Sequence, residues 1–329
     1  MQHVERRTLL LAGAGLMLIP RSARPQGTRR VARIGWLGVR DDKAAAAQSI
    51  QLDGLRAGLR DRGWVEGDNL HIETRSGTFA DAPALAAELQ KANVELIVAE
   101  GGIIFRIRAL AATTPLLFQV NGDPVEANLV TSYARPGGNM TGVTALSDSL
   151  SGKRVELLQQ TMPRLTRFAA IANQGHPGWR VEFDATQATA KRLGLEVNWL
   201  PVYSPPDFAA ALESATRGGA QAIVAVPDNL ILSQAKLFAD HSARHKVPAI
   251  SGFAQFTEAG NLMSYGPVLR EVFVKLASYA DKLLRGAKPA DLPVENPSRF
   301  ELVVNLRTAK ALDLKVPQSV LLRADRVIE

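Results

Sequence analysis

Short apolar runs of β type and segments of helical period take turns along this sequence, and the whole alternation starts again about halfway. Val31 to Leu37 is a β-type run ending in Gly38, Asp53 to Arg62 has helical period, and Leu70 to Arg75 alternates as a strand. A helix is predicted from Pro83 to Lys91, a buried strand from Glu95 to Ala99, a helix over 103–112, and a continuous apolar strand from Leu116 to Val120. Strands separated by helices return most readily as right-handed βαβ units, so this half should build a parallel sheet.

The same grammar resumes after Thr141-Gly142-Val143. Helices are expected at Gly152 to Gln160, Phe183 to Leu193, Phe208 to Thr216 and Ser233 to His245. Strands are expected at Arg167 to Ala172, Glu196 to Val202, Ala222 to Val226 and Ala249 to Gly252. Gly67-Asp68, Pro136-Gly137-Gly138 and Gly218-Gly219 mark turns or crossovers rather than long linkers. The fold class read from this pattern is α/β, with two similar Rossmann-like lobes, each on its own parallel sheet. Length agrees, because the roughly 300 residues beyond the first 27 correspond to two domains at about 150 each.

The N-terminus reads as a signal peptide over 1–27. Arg6-Arg7 stand directly before an uncharged apolar run from Thr8 to Ile19, too short to span a bilayer, and the paired arginines favour the twin-arginine export route. Cleavage is expected between Arg24 and Thr28, placing the mature chain in the periplasm. The sequence has no cysteine, which excludes a disulfide and a lipid-bearing N-terminal Cys. The net charge of +7 includes +3 from Arg6, Arg7, Arg21 and Arg24 against Glu5, which leaves +4 on the rest. The basic residues are scattered, without the clustered stripe and interleaved aromatics of a nucleic-acid surface, so no nucleic-acid partner is expected.

Enzyme readings fail for lack of parts. There is no Gly-x-Ser-x-Gly elbow, no Gly-x-Gly-x-x-Gly after the first strand and no phosphate-binding Gly-Lys-Ser/Thr. His71, His176, His241 and His245 do not read as a site; His241 and His245 share a helix face but lack the His-Glu-x-x-His pattern, so they read as surface histidines and no metal is expected. Neither a cofactor nor a catalytic residue is assigned.

The last third carries a signature. Ala259-Gly260-Asn261-Leu262-Met263-Ser264-Tyr265-Gly266-Pro267 is followed by Leu283-Leu284-Arg285-Gly286-Ala287-Lys288-Pro289-Ala290-Asp291-Leu292-Pro293-Val294-Glu295, then by Phe300 to Leu306 and Thr308 to Leu312. With Gly122-Asp123-Pro124-Val125 and Arg135 to Gly142, these segments resemble the ABC-transporter substrate-binding proteins related to tryptophan and other aromatic-amino-acid binding proteins. The resemblance covers nearly all of the chain beyond the signal segment. It implies the type I periplasmic-binding fold, in which the chain crosses between lobes three times, placed here near residues 144, 252 and 286. Lobe 1 would then comprise 28–144 plus 253–285, and lobe 2 would comprise 145–252 plus 286–329. It further implies a monomeric receptor that closes on a small-molecule ligand and delivers it to an ABC permease in the inner membrane.

Sheet geometry says where such a ligand would sit. In open α/β sheets the loops at the carboxyl ends of the strands line a crevice, and two crevices facing across a hinge can close on a small molecule. Asp228-Asn229 follows the strand ending at Val226; the resemblance places an Asp-Asn pair here in aromatic-amino-acid binders, where a carboxylate meets the ligand ammonium. The same residues could form an Asx-turn opening the next helix. Asp123 either caps its own turn or points at a ligand amine. Asp148 lies just past the first crossover as a cleft group or a hinge cap, Tyr265 suits ligand stacking or core packing, and Phe253 could offer an apolar wall. Gly38, Gly101, Gly102 and Ile103 complete the candidate set at the ends of the first and third strands.

Two loops depart from the amino-acid-binding pattern. Gly101-Gly102-Ile103-Ile104-Phe105-Arg106 has no Thr or Ser at the start of its helix, leaving backbone donors alone to hold a carboxylate. Gly38-Val39-Arg40-Asp41-Asp42 lacks the His-Pro of the tryptophan binders. A ligand without an amino group therefore stays open beside an aromatic or apolar amino acid. A periplasmic sensor that presents its ligand to a membrane receptor is the alternative role, while a transcription regulator of similar fold would need a DNA-binding helix pair where the signal segment stands.

Overall fold

A computed structural model describes residues 30–39, 45–145, 148–176 and 178–329, with side chains at 39, 45–49, 148 and 149 left aside. The expected signal segment and the loop 40–42 lie outside the described residues.

The first lobe is laid down by β1 (Ala32–Val39), α1 (Ala45–Arg60), β2 (Leu70–Gly77), α2 (Ala82–Lys91), β3 (Leu96–Glu100), α3 (Ile104–Ile107), β4 (Leu116–Val120) and β5 (Met140–Thr144). Its strands pair in the order β2-β1-β3-β4-β5, all parallel. The continuous apolar runs in β3 and β4 are what a strand covered on both faces requires, and every residue of both is buried. The helix expected over 103–112 is broken: a 3₁₀ turn at Gly101–Ile103, the single turn α3, then another 3₁₀ stretch at Arg108–Ala112. Ile103, Ile104 and Ile107 are stiff at χ1 in a helix, and all three turn into the first-lobe core. Thr141 to Val143, read from sequence as the boundary between halves, lies in the edge strand β5.

The second lobe continues through α4 (Asp148–Thr161), β6 (Arg167–Asn173), α5 (Trp179–Arg192), β7 (Glu196–Val202), α6 (Asp207–Arg217), β8 (Ile223–Ala225), α7 (Asn229–Ser233), α8 (Ala235–His245), β9 (Ala249–Ser251), α9 (Ala254–Glu258) and β10 (Met263–Pro267). The chain then makes α10 (Leu269–Leu284), β11 (Phe300–Asn305), α11 (Leu306–Ala311), α12 (Gln318–Leu321) and β12 (Arg326–Ile328). Among the described residues the second sheet has seven strands in the order β12-β11-β10-β9-β8-β6-β7.

Two details differ from the sequence reading. Since β10 pairs with β9, residues 253–267 belong to the second lobe, and the later crossings fall near 268 and 299 rather than 252 and 286. The sheet is also not wholly parallel, because β11 runs antiparallel to β10. Connectivity explains this: the chain leaves β10 at the hinge edge, visits the first lobe as α10, and re-enters at that same edge, so it must run back along its neighbour. At the hinge, Val268 N–H donates to the Arg299 carbonyl at 3.3 Å, and Thr144 N–H donates to the Glu295 carbonyl at 3.0 Å.

The helix α10 explains why the excursion is stable. Leu269, Val272, Phe273, Leu276, Ala277, Ala280 and Leu284 form one apolar stripe at helical spacing, most of it in a cluster with Leu55 and Leu59 of α1 and Trp36 of β1. The approach to α1 is close enough that a Cβ on Gly58 would lie 2.6 Å from the Ala277 Cβ, so only glycine fits there. On the second sheet, Phe208, Phe238 and Phe256 stack edge to face, with centroids 5.9 and 5.4 Å apart, and fasten α6, α8 and α9 to one another.

Candidate ligand-binding site

Loops at the carboxyl ends of strands from both sheets enclose a cavity of about 320 Å³. The first lobe contributes Thr78, Phe79 and Ala80 after β2 and Gly102 after β3. The second contributes Asn173, Gly175 and His176 after β6, Tyr203, Ser204 and Pro205 after β7, and Asp228, Asn229, Leu230 and Ser233 after β8. That volume sits at the small end of ligand pockets. Phe79 and Tyr203 are among the exposed large apolar side chains of the described residues, so two aromatic faces from opposite lobes stand at the cavity with Pro205 and Leu230. The Arg106 guanidinium covers the Phe79 ring at 5.6 Å from its centroid.

Asp228 is the charge at the floor. Its Oδ1 accepts the Ile231 N–H at 2.8 Å, capping α7, and its Oδ2 accepts from Asn173 Nδ2 at 2.6 Å. The Asx-turn and the cavity position, read from sequence as alternatives, therefore coexist. Burial pushes the Asp228 carboxyl above the usual range, opposed by the attraction of His176 and by the Ile231 and Leu230 N–H groups. Burial likewise pulls the His176 imidazole down, opposed by Asp228 and Glu182. His176 Nδ1 accepts the Gly178 N–H at 3.1 Å, leaving Nε2 as the protonated nitrogen of a neutral ring. A carboxyl whose charged form burial disfavours gains from a cation brought in from outside the protein, which would restore that form.

The lobes touch around this cavity. Asn229 Nδ2 donates to Glu100 Oε1 at 2.9 Å, and Asn121 Nδ2 donates to the Pro227 carbonyl at 3.0 Å, each bond joining one lobe to the other. The Phe105 ring meets His176 edge-on at 6.4 Å. Glu100 is 2 % exposed, and burial pushes its carboxyl up to about 8, against hydrogen bonding from Gln51 and Asn229. Its Oε2 and both polar atoms of the buried Gln51 carboxamide lack a well-formed hydrogen bond. Gly101 permits the Asn229 contact: its φ is +58°, and a Cβ there would lie 2.8 Å from Asn229 Nδ2. Gly101→Ala is accordingly expected to cost about 1–2 kcal/mol for the left-handed conformation alone and to part the Asn229–Glu100 bond, measurable as a drop in urea midpoint.

Of the sequence candidates, Gly102, Asp228 and Asn229 line the cavity, and Gly101 stands against Asn229 beside it. The others are used differently. Ile103 is 1 % exposed in the first-lobe core, because the 3₁₀ turn rotates it away from the cleft. Asp123 accepts the Val125 and Glu126 N–H groups at 2.7 and 3.2 Å, the capping role. Phe253 is 2 % exposed among Phe238, Phe256 and Leu269, a core residue rather than a wall. Tyr265 packs against the second-lobe core, and its carbonyl accepts Arg154 Nε at 3.0 Å. Gly38 is buried within β1, opposite Ser76. Asp148 opens α4, with its side chain outside the described residues.

Sequence reasoning missed Phe79, Asn173, His176 and Tyr203. Asn173 and Tyr203 directly follow a predicted strand, and Phe79 and His176 stand four residues beyond one, so the strand-end rule that selected Asp228, read over a slightly longer loop, would have selected them too.

The model of the ABC transporter substrate binding protein family matches residues 45–328. The chain belongs to that family. It shares 26 % identity over 271 residues with the tyrosine-binding protein of Clostridioides difficile (strain R20291), spanning 80 % of this chain and 76 % of that one. Among solved structures, the ABC domain from Streptococcus pneumonia in complex with L-Trp superposes with a TM-score of 0.81 at 26 % identity, over 91 % of this chain and all of that one. The ligand-free, open structure of a Clostridium difficile substrate binding protein with adhesive properties superposes less well, with a TM-score of 0.65 at 23 % identity, over 91 % of this chain and 99 % of that one. The fold is the type I periplasmic-binding fold, and this family member is a substrate-binding protein rather than an enzyme.

Proposed function

We propose that this family member is the extracytoplasmic receptor of an ABC importer, a monomer that closes its lobes on one aromatic amino acid and presents it to an inner-membrane permease. The observation that carries the reading is the cavity itself: the buried Asp228 carboxylate with Asn173 at one end, and the Phe79 and Tyr203 rings beside it. An ammonium on Asp228 would supply the counter-charge the site lacks, and an aromatic side chain would fill the space between the rings. The tyrosine-binding and L-Trp-bound relatives support this ligand class. Arg6-Arg7 and the apolar run behind them support export to the periplasm, and no helix among the described residues is long and apolar enough to cross a membrane.

Thermal denaturation of ligand-stripped protein tests the ligand class. At 100-fold excess over Kd, Trp, Tyr or Phe should raise Tm by about 4 °C for a chain of this length. Aromatic carboxylates lacking the amine should leave it unmoved. Stabilisation by those carboxylates instead would discard the amino-acid assignment, and silence across a broad metabolite panel would discard the receptor.

A further inference from the structure

A cluster of potential ligands lies on the second lobe, toward the end of α8 away from the cavity. His241 and His245 occupy one face of α8 four residues apart, and Glu213 faces them from α6. Their donor atoms lie within 4.8 Å of one another, and the two rings stack with centroids 4.3 Å apart. Sequence alone assigned both histidines to the surface, yet His241 is 4 % exposed. Its Nε2 shares a 2.8 Å hydrogen bond with the Thr216 hydroxyl, an orienting contact of the kind ligating imidazoles use.

His245 carries the decisive observation. Its Nε2 is buried and has no hydrogen-bond partner, and the nearest carboxylate oxygen, Glu213 Oε1, is 3.7 Å away. A buried ring nitrogen left idle beside a carboxylate and a second imidazole is a costly arrangement unless something occupies the gap.

We propose that Glu213, His241 and His245 bind one divalent transition-metal ion of the Zn²⁺ class. Two imidazoles and a carboxylate are a donor set that Zn²⁺ takes at about 2.0–2.2 Å, and three protein ligands leave a fourth position for water. Small rotations of the three side chains would bring their donors onto one ion. His241 and His245 lie about 9 and 15 Å along α8 from Ala235, which separates this site from the cavity beyond the other end of the helix. The ion would clamp α6 to α8 without touching the ligand.

Metal-stripped protein titrated with ZnCl₂ alone, with Co²⁺ absorption as a second readout, tests the site. One ion should bind per chain, Tm should rise by about 4 °C at 100-fold excess over Kd, and Co²⁺ should give the visible band of a tetrahedral site. His245→Gln, at a half-buried position, should abolish all three signals, and Glu213→Gln should weaken binding at least tenfold. His71→Gln should change nothing. Absence of saturable binding to the native protein, or binding that survives unchanged in both His245→Gln and Glu213→Gln, would overturn the assignment.

Discussion

Asp228→Asn is expected to lower affinity for the aromatic amino acid by on the order of 100-fold or more while leaving the unliganded fold nearly as stable. Removing one member of a desolvated, hydrogen-bonded charge pair costs about 2–5 kcal/mol, because the other charge is left buried without a partner. Here the stranded charge would be the ligand ammonium. The replacement is selective because Asn is as good a helix N-cap as Asp, so the bond from Ile231 N–H survives, and the loss is confined to the Asn173 contact, whose carboxamide is held by the Gly175 N–H on its Oδ1 at 2.9 Å. Titration calorimetry on both proteins, with melting temperatures of the unliganded forms as control, separates lost recognition from lost folding. Aromatic carboxylates without an amine, which should not bind the wild type, should gain rather than lose affinity in the variant, since no buried acid then opposes them. A loss of less than about threefold for the amino acid would place its ammonium elsewhere.

The sequence shows the fold more fully than the site, for physical reasons. Core-forming elements announce themselves by period: the apolar runs at β3, β4 and β6 and the helical stripes of α5 and α6 fall within a few residues of the expected limits. What period could not reveal was which sheet a strand joins. Met263 to Pro267 falls within 253–285, expected in the first lobe, and only its pairing with Ile250 and Ser251 places it in the second. Side chains at the site were harder still. Ile103 and Phe253 stand at strand ends exactly where a ligand wall would be sought, but a 3₁₀ turn at one and an apolar cluster at the other rotate them inward. Asp228 and Asp123 have the same local chemistry, each capping the turn that follows, and differ in that Asp228 is buried in the cavity wall beside Asn173 and His176 of its own lobe while Asp123 is half-buried outside it. That difference is tertiary, set by residues more than fifty positions away.

Glu100 should make stability fall as pH rises, and Glu100→Gln should remove that dependence. Its carboxyl titrates near 8 in the folded protein against 4.5 when unperturbed, so between those values the native state holds one proton that the unfolded chain has lost. The sign follows: the unfolding free energy declines with rising pH by up to about 1.4 kcal/mol per unit, the contribution being fully present below about pH 4.5 and gone above about pH 8. Over the whole window the difference is of the order of 4 kcal/mol. The neutral carboxyl suits its surroundings, since Asn229 Nδ2 needs an acceptor from across the cleft and no cation is paired with Glu100. Ionisation would put an uncompensated charge between the lobes. Parting the lobes would hydrate it, so ligand affinity should weaken in the same direction, because closure must first return the proton. Gln keeps the acceptor for Asn229 and cannot ionise. Urea unfolding at pH 5 and pH 8 should therefore find the Gln variant close to wild type at the lower pH and more stable by several kcal/mol at the higher, and parallel profiles would mean that Glu100 is already charged and solvated in the native protein.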